Sequence, residues 1–171
     1  DKTELNELFY AHHKLKADTT ALFGKFKNHN VVLIIWESFG KEWVGAFNKD
    51  IDGYKGYTPF VDSLVNKSYV FTRGYANGRK SIDALPSIMS GIPSAETPFI
   101  LSHYSGNEIN SLASVLNKKQ YYSAFYHGAP NGSMGFSAFM QQAGFDSYLG
   151  MTEYDNDKDF DGHWGIWDEP F

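Results

Sequence analysis

Apolar residues recur along this chain in two spacings, one typical of helices and one typical of buried strands. The longest unbroken apolar run, residues 31–36, is rich in β-branched residues and predicts a central parallel strand covered on both faces. Shorter runs predict two further strands, at 68–72 and 121–126. Apolar residues three and four positions apart predict helices at 3–27, 59–65, 81–90, 111–118 and 136–143.

The order of these elements predicts the fold class. Short strands that alternate with helices are typical of an α/β fold with a mainly parallel sheet, because parallel strands are joined by helical crossovers. No internal repeat or low-complexity tract interrupts the order. Residues 1–27 are interpreted as a helical connector that leads into one α/β domain over residues 28–171.

Composition and charge narrow the classes of protein to consider. Hydrophobic residues make up 42% of the sequence and aromatic residues 17%, which is enough for a folded core. The net charge is -5 and the Lys and Arg residues are scattered, so no nucleic-acid partner is expected. The absence of cysteine excludes disulfides and thiolate metal sites. The run at 31–36 is far shorter than the roughly 20 apolar residues that span a bilayer.

Three polar residues near predicted strands are candidates for a functional site. Glu37 directly follows the first strand, His127 directly follows the third, and Ser81 opens a predicted helix after a glycine-containing loop. Ligands gather at the carboxyl ends of parallel strands, so the three residues are expected to converge at one sheet edge. Structural roles are the alternatives at this point: a strand-end carboxylate, a helix-capping serine and a histidine that closes a turn.

The chemistry of Ser81 is that of a nucleophile that needs assistance. A serine hydroxyl attacks poorly at neutral pH unless a base or a metal ion activates it. A divalent cation favours the alkoxide and also neutralises the charge of a phosphoryl group. The start of a helix adds backbone donors that suit a phosphate. Arg79 and Lys80 are candidates for contact with that phosphate, with a solvated loop as the alternative.

Two segments resemble the lipoteichoic acid synthase-like branch of the alkaline phosphatase/sulfatase superfamily. They are VVLIIWESFG at 31–40 and NGRKSIDALPS at 77–87. The resemblance implies a three-layer sandwich with a mainly parallel sheet, of which this chain is the N-terminal part, incomplete at the C-terminus. In that family the glutamate after the first strand and the hydroxyl residue bind a metal, and the hydroxyl residue attacks phosphorus. By resemblance, Glu37 and Ser81 are metal ligands and Ser81 is the nucleophile.

The resemblance also implies a cofactor and further site residues. One divalent cation is expected, Mn²⁺ first, with Mg²⁺ or Zn²⁺ as alternatives. Lys80 and His127 are implied as substrate-binding residues, because relatives often carry lysine beside the nucleophile and His127 opens a segment similar to the family's His-Gly segment. A downstream Asp-His pair completes the family's metal site. That dipeptide does not occur in this sequence, so the chain alone is expected to be inactive.

The function implied by the resemblance is transfer of a phosphoglycerol head group. The donor is a phospholipid, usually phosphatidylglycerol in this family, and the acceptor is a hydroxyl of a glycan or glycolipid. Family members carry N-terminal membrane helices, which this sequence lacks, and display the catalytic domain outside the cytoplasm. A location at the cell membrane with an extracytoplasmic catalytic domain is therefore expected.

Departures from the family pattern keep other functions open. In lipoteichoic acid synthases the His-Gly segment supplies an acidic residue, a tryptophan and an arginine that hold glycerol phosphate. At those positions this sequence has Ala129, Met134 and Phe136. Phosphoethanolamine transfer and sulfatase-type hydrolysis are alternatives, although residues 81–85 lack the Cys/Ser-x-Pro-x-Arg signature of sulfatases. A non-catalytic cell-surface binding domain is the alternative outside enzymes.

Overall fold

The computed structural model describes residues 1–12, 21 and 23–171 of the chain. These residues form two compact units, Asp1–Ser38 and Phe39–Phe171. The first unit contains helix α1 (Lys2–His12). The predicted helix at 3–27 is confirmed as far as residue 12, residues 23–27 are not helical, and residues 13–20 and 22 lie outside the described residues. The division into a connector at 1–27 and a domain at 28–171 stays a prediction.

The helices of the second unit begin close to the predicted positions. They are α2 (Pro59–Val65), α3 (Ser81–Ser90), α4 (Leu112–Asn117), α5 (Phe136–Gln142) and α6 (Met151–Tyr154), of which apolar spacing did not predict the last. Local signals account for their starts, since Pro59 occupies the first turn of α2 and Ser111 forms a capping box with Ser114 at α4. In the part of the chain that the structure describes, no helix is long and apolar enough to cross a membrane.

A two-stranded parallel sheet lies in the second unit. Strand β1 (Ala124–Tyr126) pairs with β2 (Ser147–Leu149), with Phe125 opposite Tyr148. Parallel strands need a crossover connection, and α5 lies between the two in sequence. The prediction of a strand at 121–126 is confirmed for its last three residues. Strand β2 was missed because three residues are too few to establish an alternating pattern.

Two predicted strands are wrong. Residues 31–36 form no strand, and their side chains are exposed, that of Ile34 by 80%. Residues 68–72 also form no strand, and Tyr69 and Phe71 are 99% and 90% exposed. An apolar, β-branched run favours extended backbone, but only hydrogen bonds to a neighbouring strand establish a strand. The described sheet consists of β1 and β2 alone.

Apolar side chains from α3 and α5 form the main buried cluster of the second unit. Its members are Ile82, Leu85, Met89, Phe136, Phe139, Met140 and Ala143. Phe125 and Tyr148 of the sheet pack against this main cluster. Pro86 is also fully buried, and although it removes one N–H from the interior of the helix, α3 runs from Ser81 to Ser90. The main cluster therefore joins the helix that carries Ser81 to the sheet.

Met140→Ala is expected to lower the free energy of unfolding by about 2–5 kcal/mol, because it empties a fully buried position in the main cluster. Urea unfolding monitored by circular dichroism measures this loss. Gln141→Ala, on the exposed side of the same helix, is the matched control, with an expected change below about 0.5 kcal/mol. A loss for Met140→Ala no larger than that of the control would contradict the assignment of the core.

Candidate functional site

Ser81 is the first residue of α3 and is half-buried. The next residue, Ile82, is buried in the main cluster, as is Leu85 one turn further along. Because these side chains fix the helix, they also fix the backbone position of Ser81. The first turn of a helix carries partial positive charge from the aligned peptide dipoles, which suits an anionic group.

The loop before Ser81 is tied to α3 by the side chain of Asn77. Its Nδ2 donates to Ser87 Oγ at 3.1 Å, and its Oδ1 accepts from the backbone N–H of Ser94 at 3.0 Å. Ser87 Oγ in turn lies 2.7 Å from the carbonyl oxygen of Ile92. Asn77 therefore shapes the turn, as its residue type suggested.

Lys80 stands at the N-cap position of α3 with extended backbone. Its carbonyl oxygen accepts from the N–H groups of Asp83 at 3.0 Å and Ala84 at 3.3 Å, which starts the helical hydrogen-bond pattern. The side chain makes no capping hydrogen bond and is exposed. The backbone of Lys80 is thus fixed while its ammonium group lies at the surface beside the candidate nucleophile.

His127 directly follows β1 and is held from two sides. Its backbone N–H donates to the carbonyl oxygen of Leu149 at 3.0 Å, which extends the parallel pairing by one residue. Its Nδ1 lies 3.0 Å from the hydroxyl of Tyr148, and its ring centroid lies 5.2 Å from that of Phe136. The expectation that His127 lies at the carboxyl end of a parallel strand is confirmed.

Tyr148 contacts one ring nitrogen of His127, namely Nδ1. Burial raises the pKa of the Tyr148 phenol, and the negative charge of Glu153 raises it further. The phenol therefore keeps its proton at neutral pH and can donate a hydrogen bond to Nδ1. Donation from the phenol pairs with the tautomer whose ring hydrogen is on Nε2.

The main cluster connects the surroundings of Ser81 and His127. Ile82, beside Ser81, belongs to this cluster together with Phe136, and Tyr148 packs against it. Glu37 lies exposed in a turn of the first unit. The expected convergence of Glu37 with Ser81 and His127 stays a prediction.

The donor atoms of Glu37 and Ser81 fit a hard divalent cation in chemical type. Carboxylate and hydroxyl oxygens are ligands that suit Mn²⁺ and Mg²⁺. Across residues 1–12, 21 and 23–171, no three or more His, Cys, Asp and Glu side chains form a group that could hold a metal ion. Metal binding by Glu37 and Ser81 therefore stays a prediction, as does the metal itself.

Tyr148 is the site residue that the sequence reasoning missed. It lies on β2, where it contacts His127 through its hydroxyl and stacks on Phe125 at a ring-centroid distance of 5.6 Å. The signal available in the sequence was weak. The signal was a short segment, Ser147–Leu149, which follows Gly144 and is separated from β1 in sequence by α5.

Comparisons with known proteins give a consistent family assignment. The family model described as Sulfatase matches residues 29–171. Lipoteichoic acid synthase 2 of Bacillus subtilis (strain 168) is 23% identical over 175 residues, which cover 100% of this chain and 26% of the relative. The lipoteichoic acid synthase-like protein YvgJ of the same organism is 23% identical over 151 residues, which cover 87% of this chain and 24% of the relative. The chain spans about a quarter of the length of these curated relatives.

Two solved structures share the fold. A protein in the alkaline phosphatase superfamily from Vibrio parahaemolyticus has a TM-score of 0.62 and 25% identity over 75% of this chain and 31% of its own. The lipoteichoic acid synthase LtaP from Listeria monocytogenes has a TM-score of 0.59 and 22% identity over 68% of this chain and 28% of its own. These similarities confirm the predicted α/β fold class and the resemblance drawn from residues 31–40 and 77–87.

Tyr148→Phe is expected to change the ratio of the Nδ1–H and Nε2–H tautomers of His127, because Nδ1 loses the hydroxyl that lies 3.0 Å away. The ¹⁵N chemical shifts of the imidazole at neutral pH measure the tautomer ratio. Tyr122→Phe, which removes an exposed hydroxyl 2.7 Å from Ser147 Oγ, is the matched control and should leave the ratio unchanged. An unchanged ratio in Tyr148→Phe would contradict the assigned hydrogen bond.

Proposed function

Since this chain belongs to the sulfatase family, we propose that it is part of a metal-dependent transferase that moves a phosphoglycerol head group from a phospholipid to an acceptor hydroxyl. The observation that carries the proposal is the placement of Ser81 at the start of α3, held there by the main cluster. The similarity to lipoteichoic acid synthase 2 supports the choice of reaction. Since the chain covers 26% of that relative, the activity of the whole protein is part of the proposal.

Ser81 acts as the nucleophile. Its Oγ attacks the phosphorus of the donor, a new Oγ–P bond forms, and the bond from phosphorus to the diacylglycerol oxygen breaks. The serine proton ends on the hydroxyl of the released diacylglycerol. An acceptor hydroxyl of a glycan or glycolipid then attacks the same phosphorus and returns a proton to Ser81, so each step exchanges one P–O bond for another.

Glu37 and Ser81 would hold the divalent cation, Mn²⁺ first and Mg²⁺ or Zn²⁺ as alternatives. When bound, the cation favours the ionised form of the serine hydroxyl and neutralises charge on the phosphoryl group. Two protein ligands alone rarely hold such an ion tightly, so further ligands are required. The backbone dipoles at the start of α3 support the same negative charge.

Lys80 and His127 bind the substrate. The exposed ammonium group of Lys80, one residue before the nucleophile, is suited to a phosphate oxygen. The imidazole of His127, which contacts the Tyr148 hydroxyl through Nδ1, binds an oxygen of the head group. A phospholipid donor also implies that the whole protein works at the membrane surface, with its catalytic domain outside the cytoplasm.

One observation bears on the alternatives to phosphoglycerol transfer. Phe136 stands where lipoteichoic acid synthases carry the arginine of the glycerol-phosphate contact, and it is 3% exposed within the main cluster. A buried phenyl ring offers no donor to a phosphate. The lost contact favours the non-catalytic alternative, a cell-surface binding domain, and phosphoethanolamine transfer stays the second candidate among enzymes. Sulfatase-type hydrolysis lacks its signature at 81–85.

The decisive experiment is intact-mass spectrometry of the whole protein after incubation with phosphatidylglycerol and Mn²⁺. A glycerol-phosphate adduct on Ser81 is expected because the covalent intermediate carries the head group. The adduct should be absent in Ser81→Ala and present in Ser68→Ala, the control at an exposed serine.

Each other result points to a different function. An adduct formed only from phosphatidylethanolamine would replace the donor with the second candidate. If neither lipid gives an adduct while Mn²⁺ still binds, the transferase proposal is refuted and the binding domain is favoured.

A further inference from the structure

One carboxylate oxygen close to Ser81 is buried without a hydrogen-bond partner. It is Oδ1 of Asp83, which has no partner within the described part of the chain. Asp83 is the third residue of α3, two positions after Ser81. A buried carboxylate oxygen that lacks a donor raises the free energy of the folded state, so something else must hold Asp83 in place.

The backbone of Gly78 lies directly against the Asp83 side chain. Gly78 has a φ of +108°, a conformation that favours glycine. A Cβ atom added at Gly78 would come within 2.5 Å of the Asp83 Cβ and 3.0 Å of its Cγ. The Asp83 side chain thus occupies the space that a side chain at position 78 would take.

Asp83 and Asn77 each contribute contacts that hold the 77–80 loop. Asn77 ties it to α3 and to Ser94 through side-chain hydrogen bonds. Asp83 supports it by packing against Gly78. Only Arg79 and Lys80 separate Gly78 from Ser81. A movement of the Gly78 backbone is therefore expected to displace Ser81, which is three peptide bonds away.

We propose that Asp83 is a positioning residue for Ser81, which supports the 77–80 loop through its packing against Gly78. The proposal rests on the proposed role of Ser81 as the nucleophile. The packing depends on the shape of the side chain, and Asn has nearly the same shape as Asp. Asp83→Asn is therefore expected to preserve the position of Ser81, and Asp83→Ala is expected to lose it.

The first arm of the test measures the single-turnover rate of Ser81 adduct formation in the whole protein with phosphatidylglycerol and Mn²⁺. Asp83→Ala should slow the step by about 100-fold, as expected for a nucleophile displaced by about 1 Å. Asp83→Asn should regain most of the rate, and Asp52→Ala, an exposed control, should match the wild type.

The second arm is hydrogen–deuterium exchange and requires no activity. Asp83→Ala should speed amide exchange in the peptide that covers residues 74–80, while α5 keeps its protection. Asp83→Asn should resemble the wild type. If the wild type forms no adduct, the proposed function fails, and this arm still decides whether Asp83 supports the loop.

Three results would overturn the proposal. They are unchanged loop exchange in Asp83→Ala, loss of protection that extends to α5, and an Asp83→Asn variant as impaired as Asp83→Ala. The second would mean that Asp83 stabilises the unit as a whole. The third would mean that the charge of the carboxylate, and not its shape, is what matters.

Discussion

The packing of α3 and α5 in one buried cluster is the interaction on which the rest of the second unit depends. Each large apolar side chain buried there contributes roughly 1.5–3 kcal/mol. Ile82 and Leu85 lie in the first turns of α3, so the contacts that stabilise the unit also fix the helix start that carries Ser81. Phe136 and Tyr148 extend the same cluster to His127. Stability and the geometry of the candidate site therefore have a common origin.

Local signals in the sequence were sufficient for the starts of α2 to α5 and insufficient for the sheet. The start of α3 follows from apolar spacing and from the glycine-containing loop before it, and the start of α4 follows from Ser111. Residues 31–36 have the composition of a buried strand, but strand formation depends on a partner distant in sequence, which composition does not reveal. The same limit explains why β2, and with it the contact of Tyr148 with His127, was missed.

The comparisons establish the family and the fold, whereas the choice of head group depends on individual residues of the candidate site. The match over residues 29–171 and the two structural neighbours establish the sulfatase family and its fold. By resemblance, Ser81 and Lys80 at the start of α3 correspond to the nucleophile of the lipoteichoic acid synthase-like branch and to its neighbouring lysine. Phe136, at the position where the resemblance implies an arginine, is buried and belongs to the core. The identity of the head group is thus the part of the account least constrained by the fold.

The central proposal is that Glu37 and Ser81 both bind the divalent cation, and calorimetric titration of the whole protein with Mn²⁺ tests the part of Glu37 most directly. Glu37→Ala should weaken Mn²⁺ binding by about 100-fold or more, since a direct ligand contributes at least as much as the residues that orient it. Glu96→Ala, which removes an exposed carboxylate, is the control and should bind like the wild type. Unchanged Mn²⁺ affinity in Glu37→Ala would contradict the account.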